Sequence, residues 1–91
     1  MEKKEKKAVG PDGISRSLAK EREINIDFVS LFGSELGKRV LKHLRRTTIE
    51  NVAGPHVTND VLRHMEGQRF IVGIIEQRVI RGHKAKAGEA A

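Results

Sequence analysis

The residues most able to do chemistry are four histidines: His43, His56, His64 and His83. No two stand four apart and the chain has no cysteine, so the spacing that builds a zinc site is missing. No Ser-His-acid set, paired-carboxylate site or phosphate-cradling loop can be assembled either. "GSELGK" (Gly33–Lys38) holds glycines and a lysine, but at the wrong interval for a P-loop and with no strand before it. The reading is a non-enzyme, without metal and without cofactor.

Two charged groupings remain. Glu66-Gly67-Gln68-Arg69 sets an acid and a base three apart. On a helix that is an ion pair worth ~0.2 to 0.5 kcal/mol, or an interface contact in which Arg69 grips a neighbour's carboxylate through two parallel N–H bonds. The interface is the preferred reading, and Gln68 beside it needs a polar partner. Lys38, Arg39, Lys42, Arg45 and Arg46 form the second grouping. Five cations on one helix face give salt-dependent, sequence-blind affinity for DNA phosphates or an acidic partner. No helix-turn-helix punctuation, zinc ligands or stacking aromatics accompany them. A solvated face is the commoner fate of such a stripe.

The elements that must carry these groups are helical. "NIDFVSLFG" predicts a short helix capped by Asn25 or Asp27, with Phe28, Leu31 and Phe32 on its apolar side and Gly33 as a left-handed stop. Ser34 caps the next helix, in which Leu36, Val40, Leu41 and Leu44 share one arc opposite the basic stripe. "TTIENVAGPHV" is a connector, broken by Gly54-Pro55. Thr58 then caps a long helix running to about Gly82. The two form an αα-hairpin. The fold class is all-α: a short helix, then an αα-hairpin with one long C-terminal helix, and flexible basic arms. Residues 1–22, with few apolar side chains, a lysine run and a Gly-Pro-Asp-Gly turn signal, form the N-terminal arm. Residues 23–82 make the small helical domain, and 83–91 a flexible tail.

The long helix carries more apolar surface than its neighbours can cover. Val61, Met65, Val72 and Val79 make a seam with Ile75 beside it; Leu62 and Ile80 lie to one side; Phe70, Ile71 and Ile74 occupy the far side. One short helix covers only ~100 to 140° of arc. Gly67 and Gly73, each costing about 1 kcal/mol against alanine in a helix, suit close approach by a neighbouring helix. A subunit interface is therefore expected over Met65, Glu66, Gly67, Arg69, Phe70, Ile71, Gly73 and Ile74.

Composition agrees with a chain needing partners. Ninety-one residues with 37% hydrophobics, three phenylalanines and no Trp or Tyr make a thin core. A net charge of +6 weakly favours polyanions. No apolar run approaches the ~18 residues of a membrane span, and no apolar stretch turns the charged start into a secretory signal.

"FGSELGKRVLKHL", an irregular Gly-Pro loop, then "MEGQRFIVGII" resembles the Bbp-type family of small tailed-phage proteins. The likeness covers about residues 26 to 80 and rests on Phe32, Gly33, Gly37, Val40-Leu41, Glu66-Gly67-Gln68-Arg69 and Gly73. It implies a virion or assembly protein, encoded among structural genes and made in the host cytoplasm. The expected partners are other virion proteins, by preference at the portal or head–tail connector, where small helical proteins bind as symmetric rings or homo-oligomers. A small DNA-binding protein contacting phosphates without sequence specificity is the alternative.

Overall fold

A computed structural model describes residues 6–88. They form a β-hairpin, β1 (Lys7–Val9) with β2 (Ser15–Ser17), followed by three helices: α1 (Leu18–Phe32), α2 (Glu35–Thr47) and α3 (Asn59–Lys86). The expectation of an all-α chain holds for its bulk and is corrected at its start by the hairpin.

The turn signal explains the hairpin. The Gly13 N–H donates to Gly10 O and the Gly10 N–H to Ile14 O, both at 2.9 Å, and Gly13 takes a φ of 80° that a side chain disfavours. Pro11 presets one turn dihedral, and the Asp12 carboxylate accepts the Ile14 N–H at 3.1 Å. Strand pairing runs antiparallel, Lys7 opposite Ser17 and Val9 opposite Ser15. Residues 6–22, expected as a flexible arm, are thus a hairpin and the first turns of α1. The rest of that arm lies outside the described residues.

Ser17, not Asn25 or Asp27, caps α1, its hydroxyl accepting the Lys20 N–H at 3.1 Å. The helix begins seven residues before Asn25 because Leu18 to Ile24 hold no breaker, and tertiary contacts hold their polar side chains. Gly33 ends it with φ −82°, not a left-handed turn. Its neighbour Ser34 instead bridges the corner, donating to Leu31 O at 2.9 Å and accepting the Gly37 N–H at 3.0 Å. That bond caps α2 as the sequence predicts, and Thr58 caps α3 likewise through the Val61 N–H.

The pairing of helices departs from the expected αα-hairpin. α3 packs chiefly on α1, while α2 touches both more lightly. Gly82 decides this: a Cβ there would stand 2.2 Å from Asn25 O and 2.7 Å from Val29 Cβ, so the backbones meet. Being buried against α1, Gly82 does not stop the helix, which continues to Lys86. Residues 83–86 of the expected tail are helical, and residues 89–91 lie outside those described. Gly37 does the same for α2, its missing Cβ leaving room for Leu31 O and Phe32.

Candidate functional site

The middle of α1 and the C-terminal half of α3 are joined by charge as well as by the close approach of Gly82 to Val29. Among the described residues Val29, Val72 and Ala85 are the only fully buried apolar side chains, while Glu21, Asn25 and Arg78 are exposed by only 1%, 1% and 2%. Glu21 and Asn25 lie one turn apart on α1, and Arg78 enters from α3. Its guanidinium donates to both Glu21 oxygens and, at 2.9 Å, to Asn25 Oδ1. From the other side Arg16 of β2 donates to Glu21 Oε1 at 2.7 Å and, through both terminal nitrogens, to Asp12 of the hairpin turn. Two acids and two arginines balance, so the buried charge is compensated. Asn25 Nδ2 meets no acceptor among the described residues.

The network sets its own ionisation. Burial alone would raise the Glu21 carboxyl, but hydrogen bonds from Arg78 and Arg16 outweigh it and hold the group below its ordinary value. The hydrogen bond from Arg16, then that from the Ile14 N–H, holds Asp12 well below the usual carboxylate range. Arg16 is raised in turn, first by Asp12 and then by Glu21. The hairpin is clamped further by Arg81, which donates to Val9 O at 3.1 Å, and Arg22 ties α1 to Ala85 O. Sequence reasoning missed this centre. One signal was present: Arg78 sits on the same arc of α3 as Ile75 and Gly82, and a lone cation on an apolar arc requires a carboxylate if that arc is covered.

The expected sites sort into two groups. Arg69 is engaged inside the chain, donating to Thr48 O at 3.2 Å, to Asn51 O and to Glu66 Oε1 at 2.6 Å. It fastens the connector to α3, so its guanidinium is not presented to a neighbour's carboxylate. Gln68 Nε2 lies 3.3 Å from His64 Nε2, which supplies the polar partner it needed. Met65 is half-buried, and Gly73 sits by Pro11 at the hairpin tip. Gly67, Phe70, Ile71 and Ile74 share an arc of ~100° on α3. Phe70 is 52% and Ile71 58% exposed, and nothing lies within 4 Å of where Cβ atoms on Gly67 and Gly73 would stand.

The basic stripe also loses a member. Arg45 donates to both oxygens of Glu76 on α3, at 2.6 and 2.7 Å, and to Glu50 at 3.1 Å. Glu76, followed by Glu50, raises its pKa. Arg45 therefore holds α2 to α3 instead of standing with the others. Lys38 lies 3.5 Å from Glu35, which leaves Arg39, Lys42 and Arg46 facing outward. Among the described residues no group of three His, Asp or Glu side chains is placed to hold a metal, and no helix is long and apolar enough to cross a membrane.

A family model described as Bbp19-like phage protein matches residues 28–83. That span takes in the last third of α1, all of α2, the connector and most of α3. Arg78 and Gly82 fall inside it, while Asp12, Arg16, Glu21 and Asn25 precede it. No curated protein and no solved structure matches the chain.

Proposed function

This chain belongs to the family of Bbp19-like phage proteins, and from that premise we propose a non-enzymatic virion or assembly component, present in several copies and bound at the portal or head–tail connector. The observation that supports it is how little the chain buries. Its radius of gyration is 16.2 Å, against about 12 Å for a compact domain of this length. Its exposed surface is 6836 Å², about 1,500 Å² more than a compact monomer of its mass presents. A molecule of 60 × 32 × 15 Å with three buried apolar side chains among the described residues gains its missing apolar burial from partners. Arg39, Lys42 and Arg46 are the cations placed for any non-specific contact with DNA phosphates, a contact that added salt would weaken.

Quantitative mass spectrometry of purified particles is the test. The expected result is a fixed copy number set by the symmetry of one assembly level, together with co-purification with portal or connector proteins. Absence from particles and from assembly intermediates would remove the reading.

A further inference from the structure

We propose that the cavity between β1, α1 and α3 binds a carboxylate carried on a short aliphatic stem, received by Asn25 Nδ2 at its floor and by Arg81 and Lys84 at its rim. The inference is independent of where in a virion the chain acts.

The cavity has a volume of about 450 Å³, within the range of small-ligand sites. Ala8 and Val9 of β1 and Ile80 of α3 give it an apolar wall, and Asn25, Arg81 and Lys84 line it with donors. Asn25 supplies the observation that points to a ligand. It is exposed by only 1%, and its Nδ2 has no acceptor among the described residues. The amide is fixed in its orientation. Its Oδ1 accepts from Arg78 at 2.9 Å, and a reversed amide would aim N–H groups at a guanidinium. Asn25 borders the cavity while Arg78 stands behind it, so the amide turns its oxygen to the buried network and its nitrogen to the open space. A buried N–H without an acceptor is destabilising, so an acceptor belongs there.

The surrounding charge decides which acceptor. Glu21 also borders the cavity, but Arg78 and Arg16 hold its carboxylate, and Arg16 holds Asp12. Arg81 and Lys84 have no carboxylate partner among the described residues, and Arg81 gives only one nitrogen to Val9 O. The hairpin register adds another donor. Lys6–Leu18 and Gly10–Ile14 are hydrogen-bonded pairs, so Val9, opposite Ser15, turns its N–H and C=O away from β2. The C=O meets Arg81, and the N–H points from the same edge. Two unmatched cations beside neutral donors select an anion over a neutral acceptor. One water, with a share of ~30 Å³ in the liquid, would fill little of the space. The apolar wall favours a carboxylate on an aliphatic stem over an inorganic oxyanion, whose every oxygen needs a donor.

The test is an NMR titration of the isotope-labelled full chain with butyrate, acetate and inorganic phosphate at constant ionic strength, read at the Asn25 side-chain amide. Butyrate should shift that signal saturably and bind roughly tenfold tighter than acetate, because its extra methylenes lie on the apolar wall. Lys84→Gln, at an exposed position, should weaken butyrate binding by up to about fivefold. Arg39→Gln, an equal loss of charge on α2, should leave it unchanged. Asn25→Asp keeps an acceptor for Arg78 but replaces the donor with an oxygen, and should weaken binding about tenfold or more. A capped glutamate amide separates the two sources of such a carboxylate: tighter binding than butyrate identifies an acidic side chain of a partner protein, and weaker binding a free acid. Absence of a saturable shift would leave only water on the amide and overturn the proposal. So would inorganic phosphate binding as tightly as butyrate, or Arg39→Gln weakening it as much as Lys84→Gln.

Discussion

The two halves of α3 are one continuous helix and yet two different surfaces. Its C-terminal half is enclosed by α1 and the hairpin, where Arg78, Gly82 and Ala85 are buried against Glu21, Asn25 and Val29 of α1. Its N-terminal half has Val61, Leu62, Phe70 and Ile71 in solvent. The enclosed half is polar at its centre and the bare half is apolar. That inverts the usual arrangement, and it teaches that the apolar surface of this chain is held back from its own core. Intramolecular order rests largely on ion pairing with fixed geometry, while these apolar side chains stay in solvent.

The largest break in this contrast is Arg78→Ala. It strands Glu21 in a site exposed by about 1%, and removing one partner of a buried pair costs about 3 to 5 kcal/mol. Chemical denaturation should show most of the stability of so small a domain lost, with the hairpin released. The double change Glu21→Leu with Arg78→Met should recover much of it, since an apolar pair of similar volume needs no compensation.

Acid probes the same centre. Glu21 and Asp12 are both held below their ordinary values. Folded-state values below the unfolded ones mean that their contribution is complete above the ordinary carboxylate range, near pH 4. It is lost as pH falls through the folded-state values. Melting temperature should therefore stay flat from neutral pH down to about 5 and drop below 4, and in Arg78→Ala the drop should begin at higher pH.

A matched pair of glycines sharpens the comparison. Gly82→Ala drives a Cβ to 2.2 Å from Asn25 O, and such overpacking costs about 1 to 3 kcal/mol. Gly67→Ala meets nothing within 4 Å, so the helix should gain up to about 1 kcal/mol. Opposite signs in thermal melts of dilute protein are the expected outcome. A loss at both positions would mean that the bare half is covered within the chain.

Smallest is Arg45→Ala. Its bonds to Glu76 and Glu50 are partly in water, and exposed pairs contribute about 0.2 to 1 kcal/mol. Hydrogen exchange in α2 should quicken while α1 is unaffected. Arg39→Glu, at an outward position and without a partner among the described residues, should alter stability by less than ~0.5 kcal/mol.

Local chemistry was legible in the chain itself. Ser34 and Thr58 cap their helices as their positions predict, because a cap needs only a hydroxyl and an N–H three residues on. The excess of apolar side chains around Phe70, Ile71 and Ile74 could be counted at ~100° per residue, and the family likeness lay in short motifs of α2 and α3. What the sequence could not decide was which side of α3 would be covered. That depends on the approach of α1 at Gly82 and on five side chains, from Asp12 to Arg78, converging from the hairpin and two helices. Such a network has no periodicity to read, since its members are separated by up to 66 residues, from Asp12 to Arg78, and each taken singly looks like a solvated polar group. Only the tertiary structure brings Arg16 and Arg78 onto the same carboxylate, and desolvation then turns those charges into the centre of the fold.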